Sequence, residues 1–312
     1  MVVGVTGGSG FIGSALVRRH VEAGDVVRCL TRRPGRPVPP GAQTIQADLC
    51  APDERLVRFV DGLDVLYHCA GELTDAGRMQ AVNVLAVEAL IAAAAGRIGR
   101  WVQLGSAGVY GRYRTPTVTE ETPLDPQDTY ERTKADADAL VLAAAARGRI
   151  ASAAVLRPSI VFGPGMRNRS LAELIRMIDL GLFFFIGEEG ASANYVHVAN
   201  VVDALALLAV RPEARGRVYN LSDWCTVEEF AGAIAGALGR PRPALRLPEL
   251  PLRHAVRLLA RVVPLPLTES RIDALVGRGR YAIDRIRDEL QYSIRISIAE
   301  GLTDLIGQRK AA

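Results

Sequence analysis

The stretch VTGGSGFIG, residues 5–13, decides the fold that the sequence predicts. It follows the apolar run Val2–Thr6, which has the composition of a β-strand, and leads into a segment whose apolar residues recur at helical spacing. Gly7 permits a tight turn, Gly10 lets the backbone approach a pyrophosphate, and Gly13 lets the helix pack close to the strand. Glycines in this strand–turn–helix context predict a dinucleotide site in which free N–H groups at the helix start receive the phosphates.

Strand and helix patterns alternate from this loop to residue 162. The main helical patterns are Met79–Ala95 and Tyr130–Arg147. The alternation predicts parallel strands joined by crossover helices, and therefore an α/β fold with a doubly wound parallel Rossmann sheet. The predicted strands are Val2–Thr6, Val26–Thr31, Gln43–Gln46, Val65–Cys69, Trp101–Leu104 and Ala153–Leu156.

The alternation weakens after Gly163. Val196–Val198 and Val218–Leu221 have the pattern of strands that return to the sheet, and a Pro/Arg-rich stretch at 239–252 begins a distinct region. We therefore expect two parts. The first is a dinucleotide-binding Rossmann domain over 1–162, with later strands from about 196–223. The second is a smaller C-terminal substrate-binding subdomain, built from 163–195 and 224–312.

The composition excludes several classes of protein. The chain has 312 residues, is 49% hydrophobic and carries a net charge of +4, which is ordinary for a globular protein. Its arginines are scattered, which argues against a nucleic-acid partner and fits a small anionic molecule better. The four cysteines and four histidines have no metal-ligand spacing, so we expect free thiols and no metal. With no leader pattern and no apolar run of the ~18–20 residues that span a membrane, we expect a cytoplasmic protein without a membrane partner.

Tyr130 and Lys134 are the candidate reactive pair. Only two of the 38 basic residues are lysines, and Lys134 is one of them. Four residues apart on a helix, the two side chains share a face and can point together into a cleft. An ammonium near a phenol favours the phenolate and so lowers the tyrosine pKa, which suits Tyr130 to donate or accept a proton.

The chain as a whole resembles the extended short-chain dehydrogenase/reductase family, also described as NAD-dependent epimerase/dehydratase-like. The glycine loop and the Tyr-x-x-x-Lys pair carry this resemblance together with further motifs. These are ADL (47–49), HCAG (68–71), Asn83, LGSAGVYG (104–111), TEETPLDPQDTYERTK (119–134), LRPSIVFGPG (156–165), NYVHVANVVDAL (194–205) and YNLSD (219–223).

The resemblance implies a role for each matching residue. Tyr130 would be the general acid or base, Lys134 would hold the nicotinamide ribose, and Ser106 would polarise the reacting oxygen. Asn83 would hold a water or the backbone near Tyr130. The cofactor-binding set that we predict comprises Gly7, Gly10, Phe11, Ile12, Gly13, Thr31, Arg32, Arg33, Asp48, Leu49, Cys69, Ala70, Gly71, Asn83, Tyr130, Lys134, Pro158, Ser159 and Ile160. In that set Asp48 and Leu49 would line the adenine site, and residues 69–71 would pass under the cofactor.

The end of the second strand predicts which dinucleotide binds. An acidic residue there usually accepts the ribose hydroxyls of NAD. This chain has Thr31 at that position, followed by Arg32 and Arg33. A hydroxyl and two guanidiniums suit the 2′-phosphate of NADP, because arginine binds phosphate through paired charged hydrogen bonds. NADP(H) is the favoured cofactor, and NAD(H) remains open.

Three functions share this machinery. Dehydration is rejected, because Ala107 and Gly108 replace the Asp-Glu pair of the sugar dehydratases that the chain resembles. We favour an oxidoreductase that interconverts a ketone and a secondary alcohol. A nucleotide-sugar epimerase with tightly bound NAD is the alternative. Ala193 stands where such enzymes commonly have a diphosphate-binding arginine, although Arg278 and Arg280 could supply a phosphate ligand. A non-catalytic dinucleotide sensor is less favoured, since a sensor needs no proton donor.

Two other features concern partners. The alanine-rich helices at 84–95 and 135–146 suit close packing, and the resemblance implies a homodimer formed through them. The apolar stretch LGLFFFIG (180–187) is expected to border the substrate cleft or pack the smaller domain. The basic helix around 252–263 is expected to pack between domains, with a membrane-surface helix as the alternative.

Overall fold

The computed structural model describes residues 1–32, 35, 37–112, 115–166, 169–259 and 267–311. Within them the strands are β1 (Val2–Thr6), β2 (Val26–Thr31), β3 (Gln43–Gln46), β4 (Leu63–His68), β5 (Ile98–Leu104), β6 (Thr117–Val118), β7 (Ala153–Pro158), β8 (Ile160–Phe162), β9 (Phe185–Ile186), β10 (Ser192–His197), β11 (Arg217–Leu221), β12 (Asp223–Thr226), β13 (Arg246–Leu247) and β14 (Arg280–Tyr281). The α-helices are α1 (Phe11–Glu22), α2 (Glu54–Val60), α3 (Ala76–Met79), α4 (Ala86–Ala94), α5 (Thr129–Ala146), α6 (Arg169–Asp179), α7 (Val198–Val210), α8 (Val227–Leu238), α9 (Glu249–Leu259), α10 (Glu269–Val276), α11 (Asp284–Leu290) and α12 (Ile298–Ala311).

Seven strands form the central sheet in the order β11-β7-β5-β4-β1-β2-β3, and all their pairings are parallel. The chain runs outward from β1 to β3 and then returns to the other side of β1, where β4 pairs with it. In such a sheet the crevice lies at the carboxyl ends of the strands where the order reverses. The doubly wound parallel Rossmann sheet predicted from the sequence is therefore confirmed.

Alternate side chains of the strands build a core on each face of the sheet. On one face Val65 and Tyr67 pack with α1 and α7, and on the other Leu66 packs with α2, α4 and α5. This alternation follows from the period of two along a strand. Since both faces are covered, the sheet is buried, as parallel sheets generally are.

The two strands predicted after Gly163 differ in where they lie. Strand β11 joins the edge of the central sheet beside β7, whereas β10 pairs with β8 and β12 in a separate three-stranded sheet. The two sheets separate at Ser159, the residue between β7 and β8. Its N–H still donates to the Leu221 carbonyl oxygen of β11 (2.8 Å), but β8, which begins at the next residue, pairs with β10. The sequence pattern specifies a strand but not its partner.

The predicted helix Met79–Ala95 begins earlier and is interrupted. Asp75 caps it by accepting the Gly77 N–H (3.1 Å), and a π-helical segment, Gln80–Leu85, separates α3 from α4. By length and composition alone, Ala76–Ala94 could cross a membrane. In this fold its residues Leu90 and Ile91 are buried in the core beneath the sheet.

Small sheets and helices beyond the central sheet form a further cluster. Helices α6, α8 and α12 share one apolar core with β10, while α9 and α10 pack around the short strand pair β9–β13. A capping box at the start of α8, in which Thr226 and Glu229 exchange hydrogen bonds, fixes where that helix begins.

Candidate active site

A cavity of about 1730 Å³ opens at the carboxyl ends of β1, β2, β4, β5 and β7 and extends to α6 and α10. Pockets for a single small molecule are typically ~300–1,000 Å³, so this cavity has room for a cofactor and a second molecule. With the exception of Asn83, each predicted site residue that the structure describes lines the cavity. Arg33 lies outside the described residues.

The glycine loop has the geometry expected of a phosphate-binding turn. Gly7 has a φ of +70°, and the Gly10 N–H donates to its carbonyl oxygen (2.8 Å). A Cβ at Gly13 would lie 2.2 Å from that same oxygen, so the first turn of α1 can approach β1 this closely only without a side chain. No side chain caps α1, which leaves the N–H groups of its first turn for an anion.

The adenosine end of the cavity is lined by loops that follow β2, β3 and β4. Thr31 is buried at the end of β2 and the next residue, Arg32, is exposed at the cavity wall. Asp48 shapes the loop after β3 by accepting the Cys50 N–H (2.9 Å). Arg18 of α1 and Arg78 of α3 also line this cavity, and sequence reasoning missed both because neither belongs to a recognised motif.

The three predicted catalytic side chains meet at the centre of the cavity. Ser106 lies two residues beyond the end of β5, and its hydroxyl accepts the Gly108 N–H (3.2 Å). Tyr130 lies in the first turn of α5, which Asp128 caps by accepting the Glu131 N–H (2.8 Å). The Tyr130 and Ser106 side chains both line the cavity. Lys134, one turn further along α5, is 7% exposed and donates from Nζ to the Leu104 carbonyl oxygen.

Burial controls the protonation of this group. It raises the pKa of Tyr130, and the Ser106 hydroxyl acts in the opposite direction. Burial also lowers the pKa of Lys134, against the attraction of Asp138. The sequence predicted a lowered tyrosine pKa. The structure differs because the Tyr130 phenol is desolvated, while the Lys134 ammonium is directed at the Leu104 carbonyl oxygen.

Asn83 lies behind the cavity wall. Its Oδ1 accepts the Glu72 N–H (2.7 Å), and its Nδ2 donates to the Glu72 carbonyl oxygen (3.0 Å) and to the Thr133 hydroxyl (3.1 Å). Thr133 in turn donates to the Tyr130 carbonyl oxygen (3.0 Å). Asn83 therefore ties the loop after β4 to the start of α5, which corresponds to the second of its two predicted roles, that of holding the backbone near Tyr130.

The far end of the cavity is mostly apolar. The stretch LGLFFFIG contributes Leu182, Phe183 and Phe184, which agrees with its predicted place at the cleft. Opposite them Tyr195 stacks on Phe230, with ring centroids 4.4 Å apart. Sequence reasoning missed the other residues of this wall, which come from helix positions without a motif: Leu174, Met177, Val227 and Leu275.

Charged side chains at this apolar end are paired. Arg271 of α10 donates to Glu173 of α6 (2.8 Å), and both line the cavity. Arg278 and Arg280, which the sequence left as possible phosphate ligands, do not line it: Arg278 lies 3.4 Å from Glu188, and Arg280 donates to the Thr117 hydroxyl (3.3 Å).

Comparisons with known proteins identify the family of this chain. The sequence profile of the NAD dependent epimerase/dehydratase family matches residues 3–222, and the chain belongs to that family. A 2-alkyl-3-oxoalkanoate reductase of Stenotrophomonas maltophilia (strain K279a) is 30% identical, over 98% of each chain. A 4-hydroxy-2-methyl-3-oxo-4-farnesyl-3,4-dihydroquinoline-1-oxide ketoreductase of Stigmatella aurantiaca is 31% identical, over 96% of this chain and 94% of its own.

The fold is also similar to that of solved structures. MoeE5 in complex with UDP-glucose and NAD is 27% identical, with a TM-score of 0.77 and 100% of both chains covered. Together with the family match, these relatives show that the protein is an NAD(P)-dependent oxidoreductase.

Proposed function

We propose that this member of the NAD dependent epimerase/dehydratase family is an NADPH-dependent reductase whose substrate carries its ketone on a largely apolar body. The observation that carries the proposal is the chemistry of the cavity beyond Tyr130. Its wall is built from leucine, methionine and aromatic side chains, and its arginine at that end, Arg271, is engaged by Glu173. An apolar wall of this kind favours an apolar ligand through the surface removed from water.

The cofactor preference rests on the end of β2. Thr31 replaces the acidic residue that would repel a 2′-phosphate, and Arg32 lines the cavity beside it. Arg78 of α3 lines the same cavity, so two guanidiniums from separate parts of the chain border it. A phosphate placed there would meet positive charge from two elements.

The site residues would divide the reaction between them. Bound NADPH supplies the hydride that the carbonyl carbon accepts. The Tyr130 phenol donates its proton to the carbonyl oxygen, so that the product is a neutral secondary alcohol. The Ser106 hydroxyl, which lines the cavity with Tyr130, orients the same oxygen. Burial keeps Tyr130 protonated at neutral pH, which suits reduction rather than oxidation.

A nucleotide-sugar epimerase is the second candidate, and the similarity to MoeE5 over the full chain favours it. Such a substrate brings a diphosphate, which requires cations in the substrate end of the cavity. There Ala193 is buried and apolar, Arg271 is paired, and Arg278 and Arg280 face elsewhere. The charges of the described residues therefore favour the ketone reductase.

The test begins with native mass spectrometry of freshly purified protein, followed by titration with NADPH and NADH. We then expect turnover of 3-oxoalkyl ketones with NADPH, with kcat/KM rising as the alkyl chain lengthens. Arg32→Ala should weaken the affinity for NADPH by about tenfold or more and leave the affinity for NADH nearly unchanged, because it removes a charged contact to the 2′-phosphate. Retained NAD together with conversion of UDP-glucose would establish the epimerase instead, and equal effects of Arg32→Ala on both cofactors would refute the phosphate contact.

A further inference from the structure

A buried ionic network lies directly behind the catalytic lysine. Asp138 is on α5 one turn beyond Lys134 and is 1% exposed. Its Oδ2 accepts the Arg157 Nε–H (2.9 Å), and Arg157 donates from Nη1 to the Tyr110 hydroxyl (3.0 Å). Asp138 Oδ1 has no hydrogen-bond partner among the described residues, so this carboxylate is not fully used by the arginine. A buried polar atom left in this way calls for a reason.

The backbone at the end of β5 brings the Asp138 carboxylate close to the catalytic group. A Cβ built on Gly105 would lie 3.0 Å from Asp138 Oδ2 and 3.1 Å from Oδ1. Gly105 stands between Leu104, whose carbonyl oxygen accepts from Lys134, and the catalytic Ser106. The glycine thus leaves room for a carboxylate against the same strand end that Lys134 contacts.

The other titratable groups that act on Lys134 carry no negative charge at neutral pH. His68 lies in β4, and burial lowers its pKa to about 3, so it is neutral. Cys69 follows β4, and burial raises its pKa to about 12, so it is a thiol. Tyr130, on the same helix, is a phenol. Asp138 is therefore the anion that faces Lys134 within the described part of the chain, with Arg157 on its far side.

We propose that Asp138 is a positioning residue for proton transfer, which keeps Lys134 charged and held against the Leu104 carbonyl oxygen beside Tyr130. Burial raises the pKa of the Asp138 carboxyl, while the Arg157 and Lys134 cations on either side act to lower it. In its ionised form the carboxylate offsets the cost of burying the ammonium. Asp138 acts through Lys134 and touches neither cofactor nor substrate. The proposal rests on the proposed function only for its kinetic consequence, since the charge of Lys134 can be measured without turnover.

The chain offers a direct measurement, because it contains only two lysines, Lys134 and Lys310. Protein labelled with [ε-¹³C]lysine gives two side-chain NMR signals, and Lys310→Arg assigns them. In Asp138→Asn we expect the pKa of Lys134 to fall by about 1–3 pH units, since an opposite charge nearby contributes that much. Asparagine keeps the shape and can still accept the Arg157 Nε–H. The alkaline limb of kcat/KM for ketone reduction should move to lower pH by a similar amount.

Arg157→Gln is the matched control, because it breaks the same buried ion pair from the other side. Both variants should lose stability, since each leaves one buried charge without its partner. They should nevertheless change the pKa of Lys134 differently, because removing the Arg157 cation leaves that pKa unchanged or raises it. If both variants shift Lys134 alike, or if Asp138→Asn lowers only the melting temperature, Asp138 is a structural partner of Arg157 and the proposal is wrong.

A second variant and a measurement that does not depend on turnover complete the test. Should Asp138→Asn not fold, Gly105→Ala carries the test, because its Cβ would lie 3.0 Å from Asp138 Oδ2 and 3.1 Å from Arg157 Cγ, so the ion pair must give by a few tenths of an ångström. A smaller fall in the pKa of Lys134 is expected, and no fall would overturn the proposal. If the wild type turns over no ketone, the proposed function fails. The NMR titration still decides on Asp138 in that case.

Discussion

At the scale of single residues, burial decides how the site is protonated. Tyr130 and Lys134 share a face of α5, as their spacing predicts, but burial moves their pKa values towards each other, raising that of the phenol and lowering that of the ammonium. Lys134 therefore loses its proton at a lower pH than a free lysine does. The alkaline limb of ketone reduction is expected to report the lysine.

Tyr130→Phe tests the general acid. Removing only the hydroxyl should lower kcat for ketone reduction by about 10²–10⁴-fold, the usual contribution of a positioned proton donor, at each pH below the alkaline limb. The affinity for NADPH should stay within about twofold, because the ring and Lys134 remain. Steady-state kinetics and fluorescence titration measure the two quantities. A variant with normal turnover would rule out Tyr130 as the proton donor.

At the scale of elements, the positions of loops and helix starts follow from local chemistry that the sequence displays. The strand–turn–helix unit at residues 2–22 has the bounds that its pattern predicts, because its glycines accept only one arrangement of loop and helix. The predicted helix at Met79–Ala95 is less regular, since it contains a π-helical segment at Gln80–Leu85. Asn83 lies in this π-helical segment, and its side-chain amide forms hydrogen bonds with Glu72 and Thr133. A hydrophobic pattern does not show such contacts.

Gly13→Ala tests the close approach of α1 to the glycine loop. Its Cβ would lie 2.2 Å from the Gly7 carbonyl oxygen, so the loop or the helix must move, and overpacking of this kind costs about 1–3 kcal/mol. We expect a lower melting temperature and an NADPH affinity weakened by about tenfold or more.

Gly236→Ala is the control for that substitution. Gly236 also lies within a helix, but a Cβ there meets nothing within 4 Å. Replacing a helical glycine by alanine should raise stability by about 0.5–1 kcal/mol and leave the NADPH affinity unchanged. Thermal unfolding and cofactor titration compare the pair. Equal behaviour of the two variants would mean that the close approach at Gly13 has no consequence.

At the scale of the whole molecule, the cavity joins parts that lie far apart in the chain. The strand ends of the Rossmann sheet provide the cofactor side, while residues from 163–195 and 224–312 provide the apolar end. That these two segments act as a substrate-binding subdomain stays a prediction, as do the homodimer and the cytoplasmic location. The basic helix around 252–263 is described only in part, as α9, in which Arg253 pairs with Glu249 (2.8 Å).

Leu182→Asp tests whether the apolar end selects the substrate. Leu182 and Leu180 are two residues apart and similarly exposed, 57% and 55%, but only Leu182 lines the cavity. A carboxylate at 182 should lower kcat/KM for a long-chain ketone by roughly tenfold, because apolar contact is lost and a charge must be desolvated. Leu180→Asp should change it little, and neither variant should alter the NADPH affinity. Equal losses in both would place the substrate elsewhere.

The sequence by itself determined the sheet and the glycine loop and predicted the residues proposed for catalysis, because these depend on local patterns: apolar period, glycine at a turn, and two side chains one helical turn apart. Only the tertiary structure decided that β10 leaves the central sheet, that Asn83 lies behind the wall, and that Arg278 and Arg280 face away from the cavity. It also decided the protonation of Tyr130 and Lys134. Burial and the nearness of Asp138 come from packing between distant segments, and no pattern within one segment contains that information.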